Sequence, residues 1–497
     1  MCVLKLNVLQ LGKNNWQTAY QIPAALNWHF NDLSCLKDPK ARLQLIVISE
    51  SVTLAPTDWQ LLQQRTDPYN VIQTADLAIE DDHLASFLQK MAARQLTMPI
   101  QEFINNIEHY YFVGQQGIGL TPAALMFDSK FRDVIHYEDS SCVEVQIHTP
   151  DWQPLASSRK NIYVDPGRQL EVWPQFQKDA DVELKYRFAV VYGEERRVFE
   201  FTEEQLKSPQ IVNTKISNGH QYITMAVYVR GYGQLSLGNV EYRWTRYGLG
   251  TYLNGGQSLV DPKTREELAY YFNPGDLKPP LCVYFAGYHS KKSFEGYFMM
   301  RRLNAPYLLI TDSRLEGGQF YTGEYFNQAI PKVIDQYLQK LDFTRQQLIL
   351  SGISMGTYGA LKFGALMGVH EVIAAKPLVL VHLDSIATRS RLARPDEFET
   401  AFDIKRAIEA DGQVVDDEML LRLMDQQDLA KTNFSIAYME NDDYDPTAFA
   451  DLSRHLLTRA NRLNSYSLPG RHNDDSAGML QWFLMRYRQI LQHDFGR

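Results

Sequence analysis

The pentapeptide Gly352-Ile353-Ser354-Met355-Gly356 constrains this chain more than any other segment, because it stands between an apolar strand, Leu348–Leu350, and a helical stretch beginning near Met355. A serine on so tight a strand-to-helix turn has its Oγ lifted clear above the sheet. Glycines must flank it, since a Cβ there would strike the neighbouring strand and helix. The chain around the motif fits that reading. Apolar runs at Leu281–Ala286, Tyr307–Thr311, Gln347–Ser351, Leu378–His382 and Phe434–Met439 read as strands. Between the second and third, Ile330, Val333, Ile334, Tyr337, Leu338 and Leu341 follow the i, i+3, i+4, i+7 spacing of an amphipathic helix. Strand and helix in alternation imply right-handed crossovers and a parallel sheet covered on both faces. Residues 251–497 therefore read as an α/β-hydrolase-like catalytic domain, with Tyr252–Pro280, rich in Gly, Pro, Asp and Asn, as its linker.

At 497 residues the chain is too long for one core, and its pattern changes twice. Leu4–Leu11, Leu43–Ser49 and a helical LASFLQKMAARQL from Leu84 suggest an N-terminal α/β domain over residues 1–140, without a phosphate-loop or dinucleotide fingerprint. From Cys142 to Trp244 the period drops to two, as in Val143–His148, Val182–Val191 and Asn239–Trp244; in the last, Val240, Tyr242 and Trp244 share a face opposite Glu241 and Arg243. Residues 141–250 thus read as a β-sandwich or jelly roll, a packing or spacer domain first and a carbohydrate-binding one as the alternative.

Fifty Lys and Arg against 59 Asp and Glu leave a net charge of −9 with no basic run, which disfavours nucleic acid as a partner. The four cysteines, Cys2, Cys35, Cys142 and Cys282, are scattered without CxxC or Cys/His spacing, so neither a disulfide framework nor a metal site is expected. With no signal peptide at the N-terminus and no apolar run approaching the ~18 residues of a membrane helix, the expected location is cytoplasmic.

A serine hydroxyl needs a base, and the base a carboxylate, in the chain order Ser, Asp or Glu, His. The strand ending at Met439 runs into Glu440-Asn441-Asp442-Asp443-Tyr444-Asp445, where Asp442 sits three residues past the strand end; Asp443 is the reserve acid and Glu440 a third choice. His472 lies on the last loop before an amphipathic C-terminal helix starting near Ser476, which sets it apart from His289 and His382 near other strand ends. The Met355 N–H, at the helix N-terminus, is the first oxyanion donor. Gly287 or Tyr288, after the first strand of the domain, supplies the second. Water as acceptor would make an esterase, a sugar hydroxyl an acyltransferase.

The opening VLQLGKNNWQTAYQIPAALNWHF, the elbow GISMGTYGALKFG, the loop NDDYDPTAF and the closing GRHNDDSAG together resemble the second of the three accessory secretory proteins of the Gram-positive accessory Sec system. The resemblance spans the whole chain. It implies a cytoplasmic factor, peripheral to the membrane only through partners, that works with the other two accessory secretory proteins and the accessory SecA ATPase in exporting serine-rich-repeat glycoprotein adhesins. It further implies O-acetylation of N-acetylglucosamine on the adhesin, with the elbow serine matching Ser354 and the closing-loop histidine matching His472. Such a reaction requires an acetyl donor, for which acetyl-coenzyme A is a candidate; no coenzyme A motif stands out, and no bound cofactor is expected. A sugar deacylase with the same triad and a non-catalytic scaffold are the alternatives.

Overall fold

A computed structural model describes residues 5–138, 141–192, 194–213, 221–289, 291–312, 314, 319–380 and 418–497. Its first sheet comprises β1 (Leu6–Leu11), β2 (Leu26–Phe30), β3 (Leu45–Ile48), β4 (Val71–Gln73) and β5 (Arg94–Gln95), all parallel in the order β2-β1-β3-β4-β5. Every residue of β3 is buried, as a strand covered on both faces must be. Leu9, Ile46 and Ile48 pack with Trp59 of α1 (Pro56–Arg65) and Phe87 of α2 (Asp82–Lys90), while Val8 and Val47 meet Phe103 and Ile107 of α3 (Ile100–Tyr110) on the other face. The helix expected from Leu84 stops at Lys90; Ala92 takes a left-handed φ of 45° and Arg94–Gln95 joins the sheet.

The second sheet contains β6 (Gly117–Leu120), β7 (Leu125–Phe127), β8 (Ile135–Tyr137), β9 (Val143–Ser158), β10 (Ile162–Val164), β11 (Leu170–Lys178), β12 (Val182–Tyr192), β13 (Glu195–Thr202), β14 (Gln210–Val212) and β15 (Gln221–Trp244). Instead of two separate sheets, these strands form one hydrogen-bonded sheet, because the 24-residue β15 pairs with β9, β10 and β12 along its first half and with β9, β11 and β6 along its second. Alternate residues, among them Val145, Ile147, Leu184, Tyr186, Phe188, Met225 and Val227, form its core.

The third sheet has the order β16-β17-β19-β18-β20-β21-β22-β23, with β16 (Gln257–Val260), β17 (Glu267–Asn273), β18 (Leu281–Phe285), β19 (Tyr307–Asp312), β20 (Leu348–Ile353), β21 (Glu371–Ala375), β22 (Asn433–Met439) and β23 (Arg462–Leu468). The segment expected to be a linker contributes β16 and β17, an antiparallel extension whose residues Glu267–Asn273 are mostly buried. From β19 to β23 all pairings are parallel. The strand expected at Leu378–His382 is instead Glu371–Ala375. Pro377 lacks the N–H a central strand must donate, so pairing ends before it; Leu378–Leu380 is irregular and His382 lies outside the described residues. Helices α5 (Glu324–Leu341), α6 (Gly356–Met367), α7 (Met419–Asp425) and α8 (Ala448–Leu456) cover one face; α4 (Tyr297–Arg301) and α9 (Ser476–His493) cover the other.

The second and third sheets are joined by buried ion pairs. Glu241 of β15 holds Lys292 in the β18–α4 loop (2.5 Å), and Arg243 holds both Glu171 of β11 (2.7 Å) and Glu267 of β17. The same loop is tied to the β6 region by the Lys292 N–H to the Gly117 carbonyl (3.0 Å) and the Phe294 N–H to Gln115 Oε1 (2.8 Å).

Candidate active site

The connection leaving β18 runs to β19 on one side, and that leaving β20 runs to β21 on the other. Between these strands the order reverses, and in open α/β sheets the crevice outside the carboxyl ends at such a point is where ligands bind. Ser354 follows β20 there, and the Gly287–His289 loop follows β18.

The elbow is held by backbone geometry. Ser354 takes a left-handed φ of 55°, its N–H donates to the Ala375 carbonyl (2.8 Å), and its carbonyl accepts from the Thr357 N–H (2.9 Å). A Cβ on Gly352 would lie 2.2 Å from the Gly356 carbonyl oxygen, and one on Gly356 2.1 Å from that of Phe285. Both flanking glycines are therefore sterically required.

The loops after β22 and β23 bring the other groups in. Ser354 Oγ lies 2.8 Å from His472 Nε2, and His472 Nδ1 lies 2.8 Å from Asp442 Oδ2. The second Asp442 oxygen accepts the backbone N–H groups of Tyr444 (2.8 Å) and Asp445 (3.1 Å), which fixes the carboxylate. The Tyr444 ring stacks on the imidazole, with centroids 4.2 Å apart. His472 is 1% exposed, and that burial is the main cause holding its pKa below the ordinary imidazole value; hydrogen bonding to Asp442 opposes it. A hydroxyl, an imidazole and a fixed carboxylate in this chain can pass the serine proton to the ring while the carboxylate sets its tautomer.

The other sequence-derived candidates sort by contact. Asp443 Oδ1 accepts the backbone N–H of His472 (3.0 Å), so it positions the loop and not the ring. Glu440 is exposed and bonds Ser467 Oγ. Both ring nitrogens of His289 face backbone carbonyls, Gly287 O (2.9 Å) and Ser293 O (3.1 Å), which makes it a staple within its loop. Met355 sits directly before α6, and among the described residues its N–H has no acceptor. The expectation for Gly287 needs correction: its N–H is committed to Glu295 Oε2 (2.6 Å), a carboxylate that also accepts from Tyr284 Oη. Tyr288 is the other residue of that loop that the sequence offered for the role.

Sequence reasoning missed Lys376. It follows β21, between the strand that carries Ser354 and the one that leads to Asp442, and is 5% exposed with a left-handed φ of 57°. Burial lowers its pKa, opposed by the charges of Asp442 and Glu295, and its own charge helps to lower that of His472. The Lys376-Pro377 pair at the end of an apolar run was the available signal. At the opposite sheet edge, His370, Glu371 and Asp494 bring possible metal-ligand atoms within 4.8 Å of one another, but Glu371 is already held by Arg486 (3.0 Å) and His370 by Asp494 (2.9 Å). Among the described residues no helix is long and apolar enough to cross a membrane.

Residues 6–497 match the family model described as the accessory Sec system GspB-transporter. An accessory Sec system protein of Staphylococcus aureus (strain NCTC 8325 / PS 47) is 36% identical, over 99% of this chain and 98% of its own. Another, from Streptococcus gordonii, is 33% identical over 99% of each. Among solved structures, a chain of the Glycosylation Associate Protein (Gap123) complex from Streptococcus agalactiae superposes with a TM-score of 0.85 at 30% identity, covering 99% of both chains. With matches of this extent, the chain belongs to the accessory Sec system GspB-transporter family.

Proposed function

We propose that the third sheet is an α/β-hydrolase-like acyl-transfer domain, and that the chain O-acetylates N-acetylglucosamine on serine-rich-repeat adhesins while supporting their export. The observation that carries the chemistry is the unbroken chain Asp442, His472, Ser354, with two 2.8 Å links. His472 Nε2 takes the Ser354 proton as Oγ attacks the acetyl carbonyl of the donor. The Met355 and Tyr288 N–H groups stabilise the resulting oxyanion. The tetrahedral species collapses, His472 returns the proton to the departing donor group, and an acetyl ester remains on Ser354. A sugar hydroxyl then gives its proton to His472 and attacks that ester; the second tetrahedral species collapses as His472 passes the proton to Ser354 Oγ, so that the sugar leaves acetylated and the serine and neutral imidazole are restored. Family membership supports the export role, with the other two accessory secretory proteins and the accessory SecA ATPase as partners, a cytoplasmic location, and membrane contact only through those partners.

The test is product analysis. The protein is incubated with acetyl-coenzyme A and a glycopeptide bearing N-acetylglucosamine, and the products are weighed by mass spectrometry. An acetyl increment on the sugar is expected. Free acetate alone would make the domain an esterase, and neither product would leave a scaffold.

A pH profile gives a second prediction. The groups around the imidazole are Asp442 and Asp443, which raise its pKa, Lys376, which lowers it, and the uncharged Tyr444 ring and Ser354. Catalysis needs the neutral ring, so activity falls as pH drops through the His472 pKa. Lys376→Met removes a cation, raises that pKa, and is expected to move the acidic limb of kcat/KM to higher pH by a few tenths to about one unit. An unmoved limb would remove Lys376 from the electrostatics of the site.

A further inference from the structure

Away from Ser354, the first sheet and the amino-terminal edge of the third enclose a cavity of about 1360 Å³, walled by α1 and the segment after it, the Phe112–Gln115 loop, α4 and the Asn304–Tyr307 entry into β19. Its charge is opposite to that of the chain. Arg42, Lys90, Arg246, Arg301 and Arg302 line it, against only two carboxylates, Asp67 and Asp276, in a protein of net charge −9. Those carboxylates are already taken: Asp67 by Arg42 (2.6 Å) and Arg301, and Asp276 by Arg497 (2.6 Å).

The remaining cations have no carboxylate among the described residues. Arg246 is 2% exposed and donates only to carbonyls, those of Phe112 (2.8 Å), Gly114 (2.5 Å) and Tyr252 (3.1 Å); burial lowers its pKa to about 9. Among the described residues Lys90 and Arg302 form no ion pair, the lining carboxylates Asp67 and Asp276 being held by Arg42, Arg301 and Arg497. With all three of its nitrogens donating and its guanidinium carbon 3.6 Å from the Phe112 ring centre, Arg246 shapes the wall, and the cations left to meet an anion are Lys90 and Arg302. The rest of the lining is suited to a hydroxyl-rich body. The Gln64 amide lines it beside those of Gln63 and Asn70, which bond Gly275 O (3.1 Å) and Asn254 (2.8 Å), and the ring of Phe298, in edge contact with Tyr297, is 74% exposed.

We propose that this cavity binds a phosphate-bearing, hydroxyl-rich small molecule, a sugar phosphate or a nucleoside diphosphate, at a site distinct from Ser354. Arginine forks match phosphate oxygens, and the volume exceeds the few hundred Å³ such ligands need. The site does not depend on the acyl-transfer reading.

Calorimetric titration of the full chain at constant ionic strength tests it, with inorganic pyrophosphate, glucose 6-phosphate, uridine diphosphate and uncharged glucose as probes. Pyrophosphate and at least one of the phosphorylated compounds should bind while glucose does not, and the stronger of the two names the source. Lys90 is half-buried and Arg302 exposed, so the Lys90→Gln, Arg302→Gln double variant should fold, and it should weaken phosphate binding by about tenfold or more. Ser354→Ala should bind as the parent does. No response to any phosphate, or one indifferent to the double variant, would overturn the proposal. So would binding of a glutamate hexapeptide without a pyrophosphate response, which would point to an acidic protein segment.

Discussion

Ser354→Ala is expected to lower acetyl transfer by about 10⁶-fold, and Asp442→Asn by about 10⁴-fold, with both variants still folded. The serine change removes the nucleophile, but its Oγ fills no core position. Its fixed contacts are backbone ones, the N–H to Ala375 and the carbonyl to Thr357, which alanine keeps. The aspartate change is subtler. An amide in place of Oδ2 can present N–H to His472 Nδ1, which favours the tautomer with the proton on Nε2, where it cannot accept from Ser354. The geometry survives while the ring is wrongly protonated. Asp443→Asn keeps an oxygen for the His472 backbone N–H and touches neither ring nitrogen, so its loss should be far smaller. Steady-state kinetics with an activated acetyl ester, beside thermal melts of each variant, separates these effects. A larger loss for Asp443→Asn than for Asp442→Asn would show that the wrong carboxylate had been placed behind the histidine.

How far the sequence carried the fold and the site depends on the kind of force involved. Local sterics and periodicity were readable. The elbow glycines announce a close approach that the 2.1–2.2 Å clashes bear out, and the α5 spacing marks a helix with one buried face. The order Ser, acid, His along the chain was enough to nominate three groups that the loops after β20, β22 and β23 bring within hydrogen-bond reach. What could not be read depends on partners distant in sequence. Glu267–Asn273 looked like linker because its neighbours are Gly, Pro and Asp, yet it is a strand because β19 offers it an edge. Gly287 carries no sign that Glu295 occupies its N–H. Glu241 and Arg243 read as the polar face of an alternating strand. They are 3% exposed, because their partners Lys292 and Glu267 come from the third sheet.

That last feature yields a prediction about stability and positioning together. Glu241 and Lys292 are 3% and 6% exposed, and the ammonium reaches both carboxylate oxygens, at 2.6 and 2.5 Å. Burial already pushes the Glu241 carboxyl above its usual range, with Lys292 opposing that push. Lys292→Met would strand the carboxylate in a dry site, and breaking such a pair typically costs about 3–5 kcal/mol. At roughly 2–4 °C per kcal/mol, the melting temperature of the unit should fall by on the order of 10 °C. Replacing both partners by apolar residues, Lys292→Met with Glu241→Leu, should recover much of that, since no unpaired charge remains. Catalysis should not recover with it. Lys292 also anchors the loop that carries Tyr288, four residues away and the second oxyanion donor of the proposed mechanism, and an apolar contact would hold that loop less firmly than a bidentate ion pair. A double variant with restored melting and depressed kcat would make the second sheet the support on which the third sheet's loop is aligned. Parental melting in Lys292→Met alone would refute the ion pair as a structural tie.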